Sequence, residues 1–89
     1  MTIVWRKSAQ IDISRIARHI AEENPIAARQ VFRELLLAGK SLELFPYRGR
    51  PGLVPGTREL VAYHPYILVY RVANNGVAIL RVWHGAQRR

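Results

Sequence analysis

The sequence predicts an α+β fold in which a short N-terminal strand and an antiparallel helix hairpin precede a C-terminal antiparallel β-meander, with the hairpin packed on the meander. Three observations carry that expectation. Residues 57–83 hold three runs of β-branched and aromatic residues, parted by His64-Pro65 and by Ala73-Asn74-Asn75-Gly76. Ala9, Ile13, Ile16 and Ile20 recur at steps of four and three, the spacing of one helix face. Asn24-Pro25 then punctuates the helical pattern, because Asn accepts from the backbone as an N-cap and Pro fits the first helical position, where its missing N–H costs nothing.

Taken in order, Thr2 to Trp5 is a β-prone run closed by Arg6-Lys7, and so short a strand is stable only beside a later one. Ser8 is placed to cap the first helix, which runs to about Glu23. Gln10, Arg15, Arg18 and Glu22 lie off its apolar stripe, as does Ile11. In the second helix Ala28, Val31, Leu35, Ala38 and Leu42 make the main stripe, and Phe32, Leu36 and Gly39 widen it. So wide an apolar face calls for two neighbours, the first helix and the sheet. Gly39 costs roughly 1 kcal/mol of helix propensity, which points to a bend or a close backbone approach near the helix end.

Phe45 to Gly52 ends the second helix and opens a loop that carries Arg48 and Arg50 and continues through Pro55-Gly56. The meander follows as Arg58–Tyr63, Tyr66–Val72 and Val77–Trp83, with Asn75-Gly76 expected to supply the positive backbone angles of a tight turn. Tyr66, Leu68, Tyr70 and Val72 share one face of the second run, and Ile67, Val69 and Arg71 the other. Both faces are largely apolar, which makes this the central strand, covered by the helices on one side. Trp5 and Trp83 come together if the first and last strands pair.

The 89 residues are read as a single domain spanning 1–89, and a composition 49% hydrophobic and 22% charged excludes a disordered chain. Fourteen Lys and Arg against six Asp and Glu give a formal charge of +8, a field that attracts polyanions or an acidic protein partner. Twelve of those cations are arginines, since only Lys7 and Lys40 are lysines, and this favours planar, forked contacts to carboxylate or phosphate. Without cysteine there are no disulfides or thiolate metal sites, and His19, His64 and His84 show no short metal-ligand spacing, so neither metal nor cofactor is implied. No apolar run reaches bilayer length and the N-terminus lacks an export core, so no membrane partner and a cytoplasmic location are expected.

This order of elements carries Ala9 with Asp12-Ile13 and Ile16, Asn24-Pro25-x-Ala27-Ala28, Phe45-Pro46 before Gly49-Arg50-Pro51-Gly52, and Gly56-Thr57-Arg58-Glu59-Leu60-Val61. Pro65-Tyr66-Ile67, Tyr70-Arg71-Val72, Ile79-Leu80-Arg81-Val82 and His84-Gly85-Ala86-Gln87 complete the set. In this order and spacing the chain resembles the RelE/ParE superfamily of toxins from bacterial toxin-antitoxin modules. The resemblance implies a small toxin neutralised by a cognate antitoxin whose segment wraps it. The +8 charge and the apolar hairpin predict how: an amphipathic antitoxin helix along the hairpin, at Ile11, Arg15, Phe32 and Leu36, and an extended segment on the sheet edge.

The superfamily holds two chemistries. RelE-like members cleave mRNA on the ribosome and surround the attacked phosphate with an acid, a base and cations; ParE-like members poison DNA gyrase and need a binding surface. Leu60 and Ile67 stand here where the cleaving branch carries basic residues, which favours the ParE-like reading with gyrase as target. Under the alternative, ribosome and mRNA are the partners, and His84 with Arg58 and Arg71 makes the catalytic set. Arg58, Arg71 and Arg81, with Arg48 and Arg50 of the loop, are the candidates for target or phosphate binding, the first three forming one cationic patch if they share a sheet face. For Arg81 the other reading is an ion pair with Glu59 or another carboxylate that closes the sheet edge, and for His84 a strand-end histidine bonded to backbone. A third class remains, a non-toxic basic nucleic-acid-binding module whose affinity would fall steeply with salt.

Overall fold

The computed structural model describes residues 1–87, so Arg88 and Arg89 lie outside it. The chain runs β1 (Thr2–Trp5), α1 (Lys7–Ala21), α2 (Pro25–Ser41), β2 (Arg50–Pro51), β3 (Arg58–Tyr63), β4 (Tyr66–Ala73) and β5 (Gly76–His84), closing on a 3-10 turn at Gly85–Gln87. One five-stranded sheet has the order β1-β5-β4-β3-β2, antiparallel except where β1 lies parallel to β5. The α+β architecture, the hairpin and the central place of β4 are as the sequence predicts.

The helices form for the expected reasons. Asn24 caps α2 by accepting from the Ala27 N–H at 3.0 Å, with Pro25 at the first turn. Ala9 and Ile13 of α1 and Val31 and Leu35 of α2 are buried in one core with Leu60, Leu68, Tyr70, Val77, Ile79 and Val82 of the sheet. A Cβ on Gly39 would lie 2.6 Å from a Trp5 ring carbon and 2.9 Å from Ile79 Cδ1, so the glycine marks a close approach of α2 to β1 and β5. Phe32 and Leu36 are not absorbed by a neighbour; they remain 39% and 41% exposed.

Four expectations are corrected. Ser8 does not cap α1: Arg6 holds that position without a side-chain bond, and Ser8 Oγ donates instead to Leu80 O at 2.7 Å. The loop after α2 contains a two-residue strand, β2, whose Arg50 pairs with Glu59 and Pro51 with Arg58. The turn into β5 is centred on Asn74-Asn75, with Ala73 paired to Gly76, and among the described residues only Gly56 has a positive φ. Gly76 is needed for proximity rather than for its angles, because a Cβ there would stand 2.8 Å from Thr2 O. Trp5 lies opposite Ile79, four residues short of Trp83, so the first and last strands pair without bringing the tryptophans into register.

One offset decides where the functional residues face. Val69 pairs with Arg81 but Tyr70 with Ile79, so β5 holds one extra residue at Leu80. The bulge puts both Ile79 and Val82 into the core although they stand three positions apart. Arg81 and Trp83 then sit across from Val69 and Ile67, on the opposite face from Val77 and Ile79, where strict alternation would not have placed them.

The loop is pinned from the sheet by Tyr70, whose fully buried hydroxyl accepts from the Gly49 N–H at 2.9 Å. Removing that oxygen leaves a buried donor unpaired. Tyr70→Phe should lower the unfolding free energy by about 1–2 kcal/mol in urea denaturation; a change below about 0.3 kcal/mol would show that the loop is not held there.

Candidate functional site

The β5 edge explains the first site. β1 ends at Trp5, opposite Ile79, so among the described residues the next edge groups of β5 have no strand beside them. Side chains of α1 take over: Ser8 Oγ donates to Leu80 O, and the Asp12 carboxylate accepts from Val82 N at 2.9 Å. The same carboxylate accepts two bonds from Arg81, from Nε at 2.8 Å and from the terminal nitrogen at 3.1 Å. Asp12 is 7% exposed, whereas the Arg81 side chain keeps 44% of its surface. Hydrogen bonding to Asp12, aided by its charge and opposed by partial burial, raises the Arg81 pKa above its ordinary value. The guanidinium therefore keeps its charge throughout the neutral range. The partner that the sequence left open for Arg81 is thus Asp12, which closes the edge.

Beside this pair a cleft of about 540 Å³ opens between α1 and the ends of β4 and β5, lined by Arg15, Ile16, His19, Tyr66, Trp83 and His84 among others. The Arg81 guanidinium lies 5.6 Å from the centre of the Trp83 ring. The His84 ring meets Tyr66 edge-on at 5.5 Å, and its Nδ1 accepts from Ala86 N at 3.1 Å, which places the neutral ring's proton on Nε2.

The remaining cations are dispersed. Arg58 pairs across the sheet with Tyr70, donates to Gly49 O at 3.0 Å and to Tyr47 O at 3.3 Å, and lies over the Tyr47 ring. Arg71 follows Tyr70 and so points to the other face, where its guanidinium abuts Gly56, whose φ of 87° and missing Cβ make the approach possible. Arg50 pairs with buried Glu59 at 3.3 Å, and Arg48 donates to Ser41 Oγ at 2.8 Å. The expected patch of Arg58, Arg71 and Arg81 is therefore not formed: strand alternation separates the first two, and Asp12 claims the third. Nor do His84, Arg58 and Arg71 converge. His84 pairs with Tyr66, four and five residues from the positions of Arg58 and Arg71 along the ladder, or roughly 13–17 Å at strand spacing.

A second surface lies on the hairpin. A nearly apolar groove of about 620 Å³ between α1 and α2 has Ala17, Ala21, Ala28 and Phe32 in its walls, with Arg18, Arg29 and Arg33 also lining it. Of the four residues expected to meet a partner helix, Phe32 lines this groove, Arg15 lines the cleft instead, and Ile11 and Leu36 stand exposed outside both. Beyond Glu59 the outer edge of β3 has no strand partner among the described residues, and a hollow beside Leu37, Ser41 and Val61 runs along it.

Asp12, His19 and Trp83 line the cleft but are not among the site residues that the sequence singles out. For Asp12 a signal was present: one of only six acids falls between Ile11 and Ile13, three residues after buried Ala9. A carboxylate on the buried side of a helix calls for a cation.

Comparison with known proteins agrees with this architecture. Residues 3–89 match the family model described as the ParE toxin of the type II toxin-antitoxin system parDE. The chain is 38% identical to the toxin RelE2 of Caulobacter vibrioides over 96% of each chain. Its fold superposes on a chain of the chromosomal ParDE toxin-antitoxin system from P. aeruginosa with a TM-score of 0.86 and 27% identity, covering 94% of this chain and 95% of that one. YafQ from E. coli is similar in fold alone, at TM-score 0.56 and 17% identity over 94% and 92% of the two chains.

Proposed function

The chain belongs to the ParE toxin family of type II toxin-antitoxin systems, with a cognate antitoxin as its partner, and from that premise we propose that it arrests growth by poisoning DNA gyrase rather than by cutting mRNA. The observation that carries this reading is the separation of the candidate catalytic groups. A phosphorane needs its acid, base and cations within hydrogen-bond reach of one phosphate, whereas His84, Arg58 and Arg71 occupy different parts of the sheet. Leu60 is part of the helix-covered core, and Ile67 is buried on the other face, so neither position offers a cation. A binding surface does not require that convergence.

The second reading, ribosome-dependent cleavage, draws on the RelE name of the Caulobacter relative and on His84 in the cleft. Two assays on the purified chain decide between them. Gyrase supercoiling of relaxed plasmid should be inhibited with cleaved plasmid accumulating, while mRNA on translating ribosomes stays intact. Codon-phased mRNA cuts that vanish in His84→Ala would overturn the gyrase reading. Growth arrest with both substrates untouched would place the target outside both branches.

For neutralisation, the hairpin groove suits an acidic amphipathic helix, whose apolar side would cover Ala17, Ala28 and Phe32 while its carboxylates meet Arg18, Arg29 and Arg33. The open edge of β3 suits an extended segment of the same antitoxin.

A further inference from the structure

We propose that the cleft between α1 and the end of β5 is a binding site for a single nucleotide, whose phosphate is held by Arg81 and Arg15 and whose base lies against the aromatic lining. Arg81 is the reason to expect a specific site rather than diffuse attraction. Its guanidinium is fixed in plane by two bonds to Asp12 and by the Trp83 ring, yet nearly half of the side chain remains accessible. Two of its five N–H donors are used, so a forked contact to a phosphate remains available from a side chain already ordered. Ordering such a side chain is a cost that binding at a mobile surface arginine would carry in full.

The rest of the lining supplies what this fork lacks. Asp12 cancels the charge of Arg81, but Arg15 lines the same cleft with no ion pair or hydrogen bond among the described residues, leaving the site positive. His84 adds the Nε2 proton that its bond from Ala86 fixes, and His19 faces the cleft from the next turn of α1. Tyr66 and Trp83 give ring surface against which a base can lie. About 540 Å³ falls within the range of small-ligand sites and far exceeds what one carboxylate fills. Volume, a planar fork and aromatic rings together favour a nucleotide over the acidic side chain of a peptide.

Binding is measured on the full chain alone, so the outcome does not depend on gyrase. Adenosine 5'-monophosphate is titrated against the labelled protein while the His84, His19 and Trp83 ring resonances are followed, with inorganic phosphate and a short Glu-rich peptide titrated in parallel. Saturable shifts at these rings are expected, with affinity at least about tenfold weaker in Arg81→Lys, which keeps the charge but loses the fork, and in Arg15→Gln, which lies on the helix surface. Lys40→Gln removes one positive charge outside the cleft and should leave affinity within about twofold. The proposal is overturned if Lys40→Gln weakens binding as much as Arg15→Gln, if inorganic phosphate binds as tightly as the nucleotide, if the peptide occupies the same rings more tightly, or if no ring responds at millimolar nucleotide.

Discussion

Replacing Asp12 with Leu should lower the unfolding free energy by about 2–4 kcal/mol, because the carboxylate is buried on the inner side of α1. The carboxylate accepts three bonds, and its loss orphans groups that differ in how they recover. Arg81, with 44% of its side chain accessible, can be hydrated, so its lost pair contributes only a part. The Val82 N–H is buried at an edge that β1 does not reach, and among the described residues no other side chain is bonded to it. Its desolvation makes up the larger share. At this chain length the loss corresponds to a melting temperature lower by on the order of 10–25 °C. Asp12→Asn keeps an acceptor for Val82 N and should lose less than half as much. Equal losses in the two variants would show that charge, not edge satisfaction, is the greater part; a Leu variant as stable as the parent would remove the edge-closing role altogether.

That role shows where sequence reading reaches and where it stops. The hairpin is legible because its apolar residues repeat a period of 3.6 over enough residues to reveal a face, and β1 and the three long strands because β-branched and aromatic runs are bounded by clear breaks. Gly39 is legible too, since a glycine on an apolar helix stripe has few uses other than close approach. β2 is not, because two residues with a proline carry no period. The bulge at Leu80 is a single-residue offset with no compositional mark, and it moves Arg81 and Trp83 to the face opposite the one that alternation implies. The cationic patch failed because Arg58 shares the face of its partner Tyr70 while Arg71, the next residue on that strand, must point the other way, and because Asp12 claims Arg81. The cleft joins α1 to the ends of β4 and β5 across more than forty residues of chain, a meeting fixed by the pairing of β1 with β5 rather than by any local spacing.

Phe32→Asp should release the toxin from its antitoxin. Phe32 is exposed on α2 in a groove whose other apolar walls are alanines and Pro25, so its ring is the one large apolar group that a docked helix can cover there. Aromatic anchors of this kind carry about 2–4 kcal/mol of an interface when truncated, which is roughly 30-fold to 1000-fold in dissociation constant. Aspartate adds a negative charge facing the carboxylates of an acidic partner and should push the loss toward the upper end. The toxin core is untouched, because Phe32 is not among the side chains of the buried cluster, so the variant should fold as the parent does and still arrest growth. Co-expression of the cognate antitoxin should then rescue cells carrying the parent toxin and fail to rescue cells carrying Phe32→Asp, with a matching loss of co-purification. Full rescue of the variant would move the antitoxin off this groove. In that case Ile11 and Leu36, exposed on the same hairpin, and the open β3 edge become the surfaces to mutate next.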